Sequence, residues 1–500
     1  MYISTRGKNE HFLAAQAIKT GIAGDGGLFV PTTIPKVTKE WLATLINLEY
    51  GKRAFAILKL FLSDYSDEEL NFCIDAAYTK EKFDDAAIAP LVSINDSTFV
   101  LELWHGPTSA FKDMALQILP QLLSKALSKT EETAEIVILT ATSGDTGKAA
   151  LEGFKDVKQI KIIVFYPDAG VSPIQRMQMV TQAGSNVSVV AVRGNFDDTQ
   201  TGVKNIFNDR DYNADLATQG FQLSSANSIN WGRLAPQIVY YFSAYADMVR
   251  DGHLELGQPV NFVVPTGNFG NILAGYYAKM MGLPIGKLIC ASNSNNVLTE
   301  FLQTGIYNRK RPFHKTASPS MDILISSNLE RLLYYMTGGD TGQVSSWMTE
   351  LNDKGQYNVG EKQLAAIQEI FWADCVDDDE TLQTVKAVYD GYHYLSDPHT
   401  AVAWEVGDRY RKQTGDDRVQ IIVSTASPFK FNENVLTAID SENLIDEKNE
   451  FAMLEQLSKV SGCPVPPALA ALENEPIRHE MVCNKEEMPA IIKQILEKNK

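Results

Sequence analysis

Five short runs rich in β-branched residues, at 135–140 (EIVILT), 160–166 (IKIIVFY), 260–264 (VNFVV), 287–291 (KLICA) and 419–424 (VQIIVS), end in small or polar residues and then give way to helical patterning. Strands that are apolar throughout, instead of alternating, must be covered on both faces, and intervening helices supply that cover. The pattern predicts an α/β protein built on parallel sheets. In such sheets ligands lie beyond the carboxyl ends of the strands, so the loops after these runs are where chemistry is expected.

The chain has 500 residues, more than the roughly 250–300 that one hydrophobic core supports, so two or three domains are expected. Residues 1–95 differ from the rest, with helical patterns at 41–62 and 67–80 and a glycine-rich turn at 24–27. They read as a mostly helical N-terminal domain. The remainder reads as a smaller α/β lobe at 105–225 and a larger one at 226–500. The acidic run at 374–380 reads as a solvated helix start, and Asp397-Pro398 as an N-cap followed by a proline at the first helical position.

With 44% hydrophobic and 21% charged residues, the composition is that of a soluble globular chain. No apolar run approaches the ~18–20 residues that cross a bilayer, and the opening MYISTRGKNE has no apolar signal core, so no membrane association and a cytoplasmic location are expected. Five scattered cysteines without a C-x-x-C pair, and seven histidines without H-E-x-x-H, predict reduced thiols and no metal site. A net charge of −17 with no basic stripe argues against nucleic acid as a partner. It also means that any anionic ligand must be captured by backbone N–H groups and a few cations within about one Debye length, roughly 8 Å.

Four stretches could carry chemistry, although a lysine is commonly a solvated surface charge and a glycine-rich turn commonly only a turn. HGPTSAFKD, 105–113, places Lys112 behind Phe111 at the start of a helical pattern; a lysine beside an apolar ring and partly out of water loses its charge readily, as an imine-forming lysine must. Gly267-Asn268-Phe269-Gly270-Asn271 follows the run VNFVV and precedes a helical pattern. Its glycines let successive N–H groups converge at the positive end of a helix dipole, which suits a phosphate. It is neither a Walker loop nor a dinucleotide turn. Thr142-Ser143-Gly144-Asp145-Thr146-Gly147 follows EIVILT; hydroxyls at a helix start can receive a carboxylate, and equally can do no more than cap the helix. Asn227-Ser228-Ile229-Asn230-Trp231-Gly232-Arg233 groups amides, a hydroxyl and an arginine, whose planar fork can grip a phosphate or can serve an ordinary ion pair. A fifth segment, STASPFK at 424–430, reads by itself as a strand end and turn.

These stretches resemble threonine synthases of the longer type, in the tryptophan-synthase-like, fold type II group of enzymes that use pyridoxal 5'-phosphate (PLP). YISTRG at 2–7 and GDGGLFVP at 24–31 resemble the opening of the same family. The similarity covers residues 2 to about 430; the last seventy residues carry no motif. It implies two doubly wound parallel-sheet lobes with a mostly helical N-terminal region. It further implies that Lys112 carries PLP as an internal aldimine beside Phe111, that Gly267, Asn268, Phe269, Gly270 and Asn271 hold the cofactor phosphate, and that Thr425 meets the ring nitrogen. Thr142, Ser143, Asp145 and Thr146 would receive the substrate carboxylate, and Asn227, Ser228 and Arg233 the substrate phosphate. The wider group commonly has Asn where Asp145 stands, and an ionised carboxylate cannot donate to the cofactor's phenolate.

The implied activity is conversion of O-phospho-L-homoserine and water into L-threonine and phosphate, by a monomer or homodimer. The alternatives are another PLP lyase of this fold, such as a serine or threonine dehydratase or a phospho-lyase derived from threonine synthase, and a non-catalytic amino-acid sensor that kept the fold.

Overall fold

The computed structural model describes residues 1–7, 10–142, 144–168, 171–443 and 449–498. Two sheets organise the chain. The larger has six strands in the order Phe371–Cys375, Ile285–Ser292, Val260–Pro265, Gln420–Ser424, Thr98–Glu102, Leu91–Asn95. All its neighbours are parallel except the last pair, an antiparallel hairpin. The smaller has five parallel strands in the order Met481–Cys483, Val187–Val192, Ile160–Pro167, Glu135–Ala141, Phe221–Ser224. Ile160–Pro167 and Val260–Pro265 are buried along their whole length, as doubly covered parallel strands must be.

The linear division expected from the sequence does not follow these sheets. Leu91–Asn95 and Thr98–Glu102, placed before or at the edge of the smaller lobe, belong to the larger sheet, and Met481–Cys483, placed in the larger lobe, completes the smaller one. Lys112 therefore follows a strand of the larger sheet, not of the smaller. The physical reason is that strands pair by exposed edges and apolar faces, irrespective of their order along the chain. The buried Cys483, Met488, Ile492 and Leu496 close a core over Val190 and Val192.

A 20-residue helix, Trp231–Arg250, is buried from Trp231 to Met248 and joins the N-terminal region to the rest. Trp231 meets Tyr2, Phe61 and Tyr277 at ring-centroid distances of 5.2, 5.5 and 5.3 Å. Arg53 reaches Asp247 at 2.7 Å and the Ser243 hydroxyl at 2.8 Å. The helical pattern expected at 41–62 is two helices, Lys39–Leu45 and Tyr50–Phe61. Arg53 helps to hold the break: its guanidinium donates to the carbonyls of Leu45 and Ile46 at 3.0 and 2.8 Å, at the end of the first helix. Asp397 caps Pro398–Thr414 as expected, accepting from the N–H groups of His399 and Thr400.

Candidate active site

Three adjacent parallel strands, Val260–Pro265, Gln420–Ser424 and Thr98–Glu102, end side by side and deliver three of the expected segments. The turn that carries Lys112 is held at both ends. The Phe111 N–H donates to the Thr425 carbonyl at 2.8 Å, and the Asp113 carboxylate accepts from the Thr108 N–H and hydroxyl, both at 2.8 Å. Burial pushes the Asp113 carboxyl up to about 7. Lys112 is 8% exposed, with Nζ 5.2 Å from the Phe111 ring centre and 3.2 Å from both Asp145 Oδ2 and Ser320 Oγ. Burial lowers the basicity of this amine; Asp145 opposes the shift, while the Lys430 and Arg233 charges reinforce it.

Asp145 opens the helix Asp145–Phe154 beyond the smaller sheet, so Lys112 and its partner come from different sheets. The carboxylate is saturated: Oδ1 takes Lys430 at 2.5 Å and Gln175 at 3.0 Å, and Oδ2 takes Ser320 at 3.1 Å as well as Lys112. Burial disfavours its charge, but the two lysines outweigh burial and hold it well below the usual carboxylate range. Thr142 Oγ1 accepts from the N–H groups of Gly144 and Gly147 at 3.0 and 2.9 Å, so it caps the helix start and keeps its own proton to donate. Thr146 is half-buried on the first turn. Ser143 lies outside the described residues.

The glycine turn lies against the chain at 320–328. A Cβ at Gly267 would stand 3.0 Å from the Ser320 carbonyl oxygen. Asn328 N–H donates to the Asn268 carbonyl at 3.1 Å, and Ser326 Oγ to that of Gly267 at 2.9 Å. Phe269 adopts a left-handed φ of 62° just before the helix Gly270–Met281. Asn271 Oδ1 accepts from Tyr240 and Tyr241 at 2.6 and 2.8 Å, and Asn328 Oδ1 accepts from Arg331 at 2.5 Å. Each carboxamide thereby has its orientation fixed, and its Nδ2 is buried without a protein partner. Two unpaired buried donors at a glycine turn and helix start are donors that could receive a phosphate-bearing group.

Arg233 is 6% exposed and donates to the Ala226 carbonyl at 2.9 Å. Burial alone pulls its guanidinium down to about 10. Asn227 is exposed and Ser228 half-buried, and a Cβ on Gly270 would lie 3.9 Å from that of Ser228, which puts this cluster beside the glycine turn. Thr425, 6% exposed, follows the strand end and anchors Phe111 through its own carbonyl.

The structure thus gathers Lys112, Asp145 and Arg233 into one electrostatic neighbourhood and sets the glycine turn against the wall that holds Ser320. Sequence reasoning missed Lys430, Ser320, Gln175 and Asn328. Lys430 stood inside a quoted segment, but nothing in that turn signals a buried lysine. His399 was also passed over: its Nδ1 lies 2.7 Å from Asp397, and its Nε2 accepts the Ser320 N–H at 3.1 Å.

Comparison with known proteins shows the family. The chain matches the families described as threonine synthase N terminus over residues 1–78, pyridoxal-phosphate dependent enzyme over 88–425 and threonine synthase, C-terminal, over 400–495. The last match extends the similarity beyond the point where the sequence motifs stop. A threonine synthase from Schizosaccharomyces pombe is 38% identical, covering 88% of this chain and 89% of its own. Threonine synthase-like 1 from Homo sapiens is 41% identical over 92% of this chain, which spans 62% of that longer protein. A crystal structure of PLP-bound threonine synthase from Brucella melitensis superposes with a TM-score of 0.87 at 37% identity, covering 100% of this chain and 99% of its own. The chain belongs to the threonine synthase family of pyridoxal-phosphate-dependent enzymes, with the fold type II architecture.

Proposed function

We propose that this chain converts O-phospho-L-homoserine and water into L-threonine and phosphate, with PLP attached to Lys112. When bound, the cofactor supplies an electron sink conjugated to the substrate's amino-bearing carbon. Lys112, with lowered basicity and buried beside Phe111, is suited to take the proton from that carbon and to return protons at its neighbours. Asp145 and Ser320 fix its amine at 3.2 Å each. The turn Gly267, Asn268, Phe269, Gly270 and Asn271, together with Asn328, holds the cofactor phosphate. Thr425 would meet the ring nitrogen; a hydroxyl there would not keep that nitrogen protonated, which would favour expulsion of a leaving group. Thr142, Ser143 and Thr146 take the substrate carboxylate, and Asn227, Ser228 and Arg233 take its phosphate.

The observation that carries the reading is Arg233, a buried guanidinium whose hydrogen bond in the structure goes to a backbone carbonyl and which lies within electrostatic reach of Lys112. Such a cation calls for an anionic ligand, and the substrate of a serine or threonine dehydratase carries no phosphate to offer it. A cytoplasmic setting, as a monomer or homodimer, completes the reading, supported by five free cysteines. No helix among the described residues is long and apolar enough to cross a membrane.

The test is to follow phosphate and threonine together from O-phospho-L-homoserine. Equal yields are expected, and Lys112→Ala should abolish both. Phosphate accompanied only by a keto acid would identify a phospho-lyase, and neither product would leave a sensor.

A further inference from the structure

Lys430 is a fully enclosed cation of the site. Its side chain is 0% exposed, and its Nζ lies 2.5 Å from Asp145 Oδ1 and 2.9 Å from the Thr108 carbonyl. Through its other oxygen the same carboxylate touches Lys112 at 3.2 Å. One buried carboxylate thus stands between two amines. We infer that Lys430 is a positioning residue that acts through Asp145: by neutralising the carboxylate it keeps the nitrogen of Lys112 from being held permanently protonated. It thereby sets the pH at which that nitrogen releases its proton. This deepens the functional reading and rests on Lys112 being the cofactor-bearing lysine.

The argument is one of charge at short range. An unpaired buried carboxylate 3.2 Å from an amine stabilises the protonated form strongly, because little water screens the pair. Paired with Lys430, it presents Lys112 with a nearly neutral ion pair that still accepts a hydrogen bond. The other charged groups around Lys112 do not replace this effect. Arg233, on Trp231–Arg250, adds positive charge. Asp113, next in the chain, is turned into Thr108. Lys148 and Glu152, on the Asp145 helix, pair with each other at 3.2 Å. Behind Ser320, His399 is paired with Asp397 at 2.7 Å. Gln175 and Ser320 complete the shell of Asp145 without charge. Among the charged side chains of the described residues, only Lys430 meets the carboxylate opposite Lys112.

The test is a pH titration of the visible absorption of the holoenzyme in four proteins: wild type, Lys430→Met, Asp145→Asn and the double variant. Near-ultraviolet circular dichroism establishes that each is folded. Removing a positive charge should raise the midpoint by about one pH unit or more, and removing the negative charge should lower it by a similar amount. The double variant, neutral again, should return most of the way to wild type, a rescue that structural damage would not produce. If Lys430→Met does not fold, a lowered midpoint in Asp145→Asn together with its recovery in the double variant carries the same information. Equal midpoints in the folded proteins, shifts of one sign, or a double variant that fails to recover would overturn the inference. Lys112→Ala serves as the separate control: if it keeps the wild-type band, the functional reading fails, whatever the role of Lys430.

Discussion

Gly153 packs directly on the carbonyl of Leu116, so closely that a Cβ at that position would lie 1.9 Å from the oxygen. Gly153 is on the helix that begins with Asp145, and Leu116 ends the short helix that follows Lys112. The contact therefore sets how near the two sheets bring their chemistry. No side chain fits there without moving one helix, and with it either the amine or the carboxylate.

Gly153→Ala should accordingly lower stability by about 1–3 kcal/mol, the usual cost of overpacking, and should weaken the visible band of bound cofactor more than a surface substitution of equal cost. Chemical denaturation and absorption spectra check this. An unchanged spectrum at reduced stability would show that the helices do not gauge the distance from Lys112 to Asp145.

Arg233→Lys should lower kcat/KM for the phosphorylated substrate by roughly 10- to 100-fold. A hydrogen bond to a charged group is worth about 1.5–3 kcal/mol, and an ammonium cannot reproduce the planar fork. Arg233→Met should do more. Steady-state kinetics decide it; a methionine variant with wild-type kcat/KM would remove Arg233 from substrate binding.

His105 makes stability depend on pH. It lies between Asp84 at 2.6 Å and Glu102 at 2.9 Å. Burial opposes its charge, but the hydrogen bonds and charges of the two carboxylates prevail and push it up to about 9. Its unfolded value is about 6.5. A folded value above the unfolded one means that protonated His105 stabilises the chain in full below about pH 6.5, and that this contribution fades as pH rises towards 9. The melting-temperature advantage of wild type over His105→Gln should therefore shrink steadily across that window. A difference that does not change with pH would contradict the assignment.

The docking of the N-terminal region should fail through Arg53. Arg53→Met leaves the buried Asp247 without its 2.7 Å partner and removes the guanidinium donors from the Leu45 and Ile46 carbonyls. Breaking a buried pair costs about 3–5 kcal/mol. The lower end applies, because Arg250 also reaches Asp247, at 2.6 Å. Denaturant unfolding gives the cost, and limited proteolysis should cut first at the freed N-terminal helices.

The α/β class was legible because apolar runs such as VNFVV and EIVILT admit no solvent face, and the loops after them were marked by glycines and hydroxyls that strands and helices do not favour. Local chemistry also singled out Lys112 and the glycine turn as candidates and identified the Asp397 cap, since each reading depends on neighbours in the chain. The lobe boundaries were not legible: Met481–Cys483 pairs with Val187–Val192 across almost three hundred residues, and hydrophobic patterning carries no record of which edge a strand will join. For the same reason, the pairing of Lys430 with Asp145 and the contact of Gly153 with Leu116 exist only once the two sheets are assembled. The sequence by itself determined the kind of elements and the chemistry at their ends, because propensity and burial act over a few residues. Tertiary structure alone decided which charges face each other, because that depends on distances between segments far apart in the chain.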